Sequence, residues 1–338
     1  MTRDWLLVEM LGNRPEVVAQ GREVRRFVPL QAFLRRNPRR ERVTAAVQAA
    51  FHVKEAARVR VSDDRPWAII THPVCMSDGR VHGIQVWTGP AQIEPPERPR
   101  IGAIKWNLTT GAAFDTSAAL LNSGMDADRE PTDWRTFADD LASSELHDID
   151  AAALALTVRT APGRTFCSTW DGRDYQNRPI RVSFCARTNL ESCGEGAPHL
   201  ISRAMNWRAT PVPAPSSRLN LTRQILHGTK QDGVHRALVD LDRGRLLKWI
   251  DDPCPHFDWR GVISDRPLVH PEDAHQLTSL ATRLATQSTD AVLRLRTVTG
   301  WTPMHIRAFR IELDTGVYAA VVSMRLDAES NRAVDYHF

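Results

Sequence analysis

Two proline-dense stretches constrain this chain more than any other feature. "TGPAQIEPPERPR" (Thr88 to Arg100) and "ATPVPAPSSR" (Ala209 to Arg218) have no apolar periodicity, and each proline lacks the backbone N–H that an interior strand or helix must donate. Both read as linkers that cut the 338 residues into three segments, and a chain of this length exceeds what one hydrophobic core usually organises. Each segment is on the order of 100 residues, an ordinary domain size. They share one order of elements, as a diverged internal repeat would.

The last segment shows that order best. "RALVDLDRGRLLKWI" has two apolar runs around Asp242-Arg243-Gly244, a turn signal between strands. In "HPEDAHQLTSLATRLATQ", Ala274, Leu277, Leu280, Ala281 and Leu284 recur at helical spacing. "AVLRLRTV" then sets Leu293 and Leu295 on one face and Arg294 and Arg296 on the other, the period of two of a half-buried strand. "MHIRAFRIEL" and "VYAAVVSMRL" follow as two more strands joined by "DTG". The N-terminal segment runs "WLLVEML", the turn "GNRP", "EVVAQG", a helix "ERVTAAVQAAFHVKEAA" and a hairpin around Ser77-Asp78-Gly79. The middle one runs "GAIKWNLTTGAAF", a helix "DWRTFADDLASSEL", then "ALALTVRTAPGRTFCSTWDGRDYQNRPIRVSFCART".

"HPEDAH" has two readings. His270 can cap a helix whose first position is Pro271, where the fixed φ and missing N–H cost nothing, with Glu272 and Asp273 facing the positive end of the helix dipole. Alternatively Glu272 and His275 stand one turn apart as metal ligands or an acid–base pair, but two ligands fall short of the three or four that zinc takes, and the helix start is preferred.

"VHPEDAHQL" with the strands behind it resembles the second half of a PAS domain, in which a His-Pro-Glu/Asp-Asp helix start precedes a three-stranded antiparallel run; the resemblance covers Arg218 to Leu326. The N-terminal segment is similar to a PAS domain without that signature. The middle one fits a third PAS or the related GAF fold, with the insertion "NLESCGEGAPH" favouring GAF. With its start "MTRDWLLVEM" and its three-module layout, the chain resembles actinobacterial, including mycobacterial, PAS-GAF-PAS sensory proteins that lack a fused effector domain. The resemblance implies an α+β fold of three tandem PAS/GAF-like modules, each an antiparallel sheet flanked by helices. Their expected ranges are 1–90 (PAS-like), 98–209 (GAF-like or PAS-like) and 216–327 (PAS), with a C-terminal tail over 328–338.

A curved sheet closed by helices leaves a pocket between them. In the third module the expected lining is Trp249, Phe257, Trp259, His305, Arg307 and Phe309, because His305 and Arg307 share strand parity with Phe309, Ile311 and Leu313. The preferred reading nevertheless leaves both polar groups in solvent where the strand twists out. In the middle module the candidates are Trp106, Phe166, Trp170 and Phe184, with ordinary core as the preferred reading. Haem, flavin, a small molecule or nothing all suit such a pocket, and no cofactor is named by the sequence. The flavin-linking cysteine motif of photosensory PAS domains is absent, which disfavours covalent flavin. "DDPCPHFDW" gathers Asp252, Cys254, His256 and Asp258, but too closely for a regular tetrahedral site; a proline-shaped loop with Phe257 and Trp259 packed inward is preferred.

Other classes are narrowed by what is missing. No run of 18 uncharged apolar residues and no secretory signal appear, so a cytoplasmic chain with no membrane partner is expected. Five cysteines, an odd number with no C-x-x-C pair, fit reduced thiols. The basic run "RNPRRER" (Arg36 to Arg42) raises nucleic-acid binding, but without interleaved aromatics or finger spacing it reads better as a solvated helix face or a protein-docking patch. There is no phosphate-binding, nucleophile-elbow or zinc-protease motif, and a hydrolase or isomerase cannot be assembled. The expectation is a non-enzymatic sensor or adaptor that binds a small ligand, a signalling partner, or both. The alternatives are a nucleic-acid-binding regulator using Arg36 to Arg42 and a purely structural interaction scaffold.

Overall fold

The computed structural model describes residues 4–61, 66–140, 148–194, 196–210, 228–240, 243–264, 266–284 and 286–327. The second linker from residue 211 onward, Asp242 of the expected turn, Glu195 of the middle insertion and the tail 328–338 lie outside them.

The first segment forms β1 (Leu6–Glu9), β2 (Glu16–Gln20), β3 (Glu23–Pro29), α1 (Leu30–Phe33), α2 (Arg40–Val53), β4 (Ala57–Val61), β5 (Trp67–Cys75) and β6 (Val81–Pro90). These strands make an antiparallel sheet in the order β3-β2-β1-β6-β5-β4. Val43, Val47 and Ala50 are buried along one stripe of α2, the spacing that docks a helix on a sheet. The helix ends earlier than its composition suggests: Lys54 adopts φ 63° and its N–H bonds the Ala50 carbonyl, so Ala57 opens a strand instead of closing a helix. The first linker also starts late, since Thr88 to Pro90 belong to β6.

The middle segment forms β7 (Ile101–Asn107), β8 (Ala112–Asp115), α3 (Ser117–Ser123), β9 (Arg135–Thr136), α4 (Phe137–Asp140), α5 (Asp148–Val158), β10 (Thr165–Arg173), β11 (Pro179–Glu191) and β12 (His199–Arg208). Its sheet runs β10-β11-β12-β7-β8-β9. Of the helix expected over 133–146, residues 141–146 lie outside the described residues and the described part holds the short β9 and α4; "ALALTV" lies in the helix α5. Helix α3, not anticipated, starts at Thr116, whose hydroxyl accepts from the Ala119 N–H at 3.3 Å. It packs onto β7 at Gly102, where an added Cβ would fall 2.3 Å from the Ala119 backbone.

The third segment forms β13 (His235–Asp240), β14 (Arg245–Trp249), 3₁₀ turns at Trp259–Ser264 and Pro271–Asp273, α6 (Ala274–Arg283), β15 (Thr289–Thr297), β16 (Gly300–Asp314) and β17 (Val317–Leu326). Strand, strand, helix and three strands follow as expected, in an antiparallel sheet ordered β14-β13-β17-β16-β15. The alternation in β15 holds, with Leu293 and Leu295 buried and Arg294 and Arg296 outward.

These elements assort into two compact units: residues 1–107, 114–133 and 161–213 in one, and residues 108–113, 134–160 and 214–338 in the other. In the first unit, Leu7, Val18, Val74 and Met76 of the first sheet share an apolar cluster with Ala103, Cys185, Met205 and Trp207 of the second. Two arginines accompany it. Arg187 bonds Glu9 at 2.7 Å and Glu16 at 2.6 Å, and Arg203 bonds Asp78 at 2.7 Å and Glu191 at 2.8 Å. In the second unit, α4 and α5, drawn from the middle of the sequence, pack on the third sheet. Among the described residues no helix is long and apolar enough to cross a membrane.

Candidate functional site

The third sheet has two apolar faces. Its inner face and α6 line a half-open cavity of about 60 Å³, with Leu246, Phe257, Leu277, Leu293, Ile306 and Met324 among its walls. The loop after β14 closes one side. Cys254 and Phe257 are buried there, and burial raises the Cys254 pKa. Trp249 stands edge-on to Phe257 at 6.5 Å and to Trp259 at 5.4 Å between ring centroids. The indole N–H groups of Trp249 and Trp259 are buried without an acceptor among the described residues. Each such donor costs on the order of 1–3 kcal/mol.

His305, Arg307 and Phe309 are elsewhere. On β16 the cavity side belongs to Met304, Ile306 and Ala308, so these three candidates point to the opposite face and Phe309 is exposed. The parity rule was sound and its anchor was not. Ile311 and Leu313 are indeed packed, but on the outer face, against Leu154 and Val158 of α5. A strand whose two halves bury opposite parities cannot reveal from sequence which side holds the cavity. His305 and Arg307 instead line an outer groove of about 260 Å³ with Arg236 and Arg325, where Arg307 pairs with Asp290 at 3.3 Å.

Helices α4 and α5 grip this sheet at both ends. Ala138 of α4 joins the inner apolar cluster, and the Asp139 carboxylate binds Arg260 at 2.5 Å. Arg260 in turn stacks over the Trp259 ring at 4.6 Å, which ties the cavity loop to α4. At the other end the Val158 carbonyl of α5 accepts from Arg243 at 2.6 Å and the Thr157 carbonyl from Arg245 at 3.4 Å, cations on the negative end of a helix. Asp240 holds both, Arg243 at 3.2 Å and Arg245 at 2.9 Å. Sequence reading missed this arrangement; the i, i+4 spacing of Leu154 and Val158 was its one visible signal.

His270 is a cap, and its ring nitrogen accepts from the Glu272 N–H at 3.2 Å ahead of the Pro271–Asp273 turn. Asp273 is not a dipole ligand alone: its carboxylate clamps Arg294 at 2.7 and 3.0 Å, and this hydrogen bonding lowers its pKa to about 2. Glu272 bonds the same arginine at 2.9 Å, while His275 approaches the Glu272 carbonyl at 2.7 Å. Asp252 pairs with Lys230 at 2.6 Å, and Cys254 is buried. Among the described residues no three His, Cys, Asp or Glu side chains gather as a metal site.

In the middle sheet the four aromatic candidates meet. Trp106, Phe166 and Trp170 surround Phe184 at 5.3, 5.9 and 5.7 Å. Ile104, Ala119 of α3, Ala186 and Ala204 complete the cluster, in which Phe184 is buried and the other three rings are half-buried. In the basic run, Arg39 stacks on Trp67 at 4.5 Å, and Arg36, Arg40 and Arg42 are exposed at the start of α2.

Sequence models of the N-terminal, middle and C-terminal domains of one family, described as Rv3651-like, match residues 4–97, 100–209 and 219–335 in that order. A crystal structure of an uncharacterized protein from Mycobacterium tuberculosis is 43% identical, covers 98% of both chains and superposes with a TM-score of 0.88. The chain belongs to the Rv3651-like family. Two more distant solved structures are a sensory box histidine kinase/response regulator from Burkholderia thailandensis E264 (19% identity, 32% of this chain and 76% of that one, TM-score 0.22) and an RNA-binding light-oxygen-voltage receptor (10%, 97% and 96%, TM-score 0.24). Superpositions that poor carry no fold assignment. No curated protein matches this Rv3651-like chain.

Proposed function

We propose that this Rv3651-like protein is a signal-sensing or adaptor protein, built from tandem PAS-like and GAF-like modules and without a catalytic output of its own. One observation carries the reading: the loop that closes the apolar cavity of the third sheet is the loop held by α4 through Arg260 and Asp139. A cavity of about 60 Å³ admits only a few heavy atoms, whereas an engineered apolar cavity of about 150 Å³ takes benzene. Outward movement of the Cys254–Trp259 loop, whose Phe257 lines the cavity, would make room for a larger ligand. That movement carries Trp259 and Arg260 with it and strains or breaks the bond to Asp139. The ligand then favours one arrangement of α4 over another by its differential affinity, the only means by which binding shifts an equilibrium. A signalling partner would read the change.

Native mass spectrometry of the full chain purified from its natural host tests this, with an absorption spectrum of the same sample. An extra mass lost on denaturation, and absent from a cavity-filling Leu280→Trp variant that still melts cooperatively, is the expected result. A bare mass in the wild type would sink the ligand half of the reading and leave the interaction-scaffold alternative.

A further inference from the structure

A third pocket, of about 400 Å³, lies in the first compact unit, where the first linker meets α3 and the β10–β11 hairpin. Its volume falls within the range of about 300–1,000 Å³ typical of small-molecule sites. None of the sequence candidates lies in it. Five arginines from four separate stretches of chain line it: Arg22, Arg98, Arg100, Arg178 and Arg208. Only Glu97 and Asp174 oppose them, which leaves an excess of three positive charges.

The cations differ in how far they are already engaged. Arg178 is clamped by Asp174 at 2.8 Å, and Arg98 donates to the Gln85 side-chain oxygen at 2.7 Å. Arg208 donates to the Leu121 carbonyl at 2.7 Å. Burial, with the nearby Arg178 charge, lowers the Arg208 pKa, so a bound anion would relieve its guanidinium. Arg22 and Arg100 have no side-chain hydrogen bond or ion pair among the described residues. Guanidinium groups converging without matching carboxylates present the planar forks that suit phosphate oxygens. Tyr175, 56% exposed, adds an aromatic surface held by its N–H bond to the Gly124 carbonyl at 2.7 Å.

We infer that this pocket binds a small molecule carrying a diphosphate, with the phosphates on Arg22, Arg100 and Arg208 and a planar organic part against Tyr175. The charge balance sets the ligand's charge, and the guanidinium forks favour phosphate oxygens to carry it. A phosphate ester carries about −1.5 to −2 near neutral pH, so a diphosphate ester brings close to the three negative charges that the lining leaves unmatched.

Isothermal titration calorimetry of the full chain at low ionic strength tests the assignment, with inorganic pyrophosphate, ADP and citrate as probes. Pyrophosphate and ADP are expected to bind and citrate to bind less well. Arg22→Glu/Arg100→Glu should weaken both at least tenfold, and because these side chains are exposed the variant should keep its circular dichroism and Tm. Tyr175→Ala should weaken ADP alone. Absence of binding by both phosphate probes at about 1 mM would overturn the site. So would equal losses in a control Arg36→Glu/Arg40→Glu variant, which would show diffuse charge attraction. Citrate binding as tightly as pyrophosphate would overturn the phosphate assignment.

Discussion

The second and third sheets are each packed on one side by a part of the chain outside their own strands, and they do it by different chemistry. The second sheet meets the first through an apolar centre accompanied by ion clusters around Arg187 and Arg203. The third sheet's outer face takes α5, whose Leu154 and Val158 enter an apolar cluster while arginines cap its last carbonyls. Apolar contact is non-directional and stabilises roughly in proportion to area. A buried ion pair contributes little net stability, because desolvation offsets attraction, but it penalises any register that leaves a charge unmatched. The ionic packing therefore specifies how two sheets meet, and the apolar one mainly holds a helix down.

The largest effect expected from breaking this contrast is on Arg187. Arg187→Met should destabilise the full chain by about 3–5 kcal/mol in urea titration, since Glu9 and Glu16 lose their partner. Burial already raises the Glu9 pKa, so the defect should shrink as the pH falls and Glu9 protonates. Adding Glu9→Leu and Glu16→Leu should recover most of the loss; failure to recover would mean that the pair contributes net stability, against the comparison drawn above.

Next, Leu154→Ala should cost about 2–4 kcal/mol through lost burial and the cavity left behind. Unlike the Arg187 change, no second substitution that removes a charge should rescue it. Hydrogen exchange should locate the loosening in α5 and the outer face of the third sheet.

The smallest effect is a pH dependence. His82 is fully buried beside Arg203, with one ring nitrogen 3.1 Å from that guanidinium and the other 3.0 Å from the Ala204 carbonyl. Desolvation, aided by the Arg203 charge, lowers its pKa to about 4 from an ordinary value near 6.5. The unfolded chain therefore takes up a proton before the folded one. Stability present above pH 6.5 is lost as the pH falls toward 4, by about 1.5 kcal/mol between pH 6.5 and 5. Asp78 and Glu191, held low by Arg203 against their own desolvation, act below that window. Stability measured against pH should show this slope in the wild type and a shallower one in His82→Gln, the remainder coming from His72, whose pKa burial also lowers. An unchanged slope would remove His82 as its cause.

Much of this fold was legible before any coordinates. The alternation of Leu293 with Arg294 and Leu295 with Arg296 gave a half-buried strand because side chains on a strand alternate faces. His270-Pro271 gave a turn start because proline needs no donor there. Phe166 and Trp170 alternate with Cys167 along one strand and Phe184 with Cys185 along the next, and these aromatics do meet in space, with Trp106 beside them. Lys54 marks where such reading fails: its left-handed backbone stops α2, although nothing in "VKEAA" forbids a longer helix. The face of His305 and Arg307 failed for a related reason, since local pattern fixes parity but not which side will be covered, or by what.

Local physics is written in the sequence: where strands alternate, where prolines interrupt, where a helix can begin. Pairings between distant residues are not, because their energy depends on a geometry that exists only after the chain has closed on itself. That Asp139 would reach Arg260, Arg187 would reach Glu9, and five scattered arginines would line one pocket was decided by the tertiary structure alone.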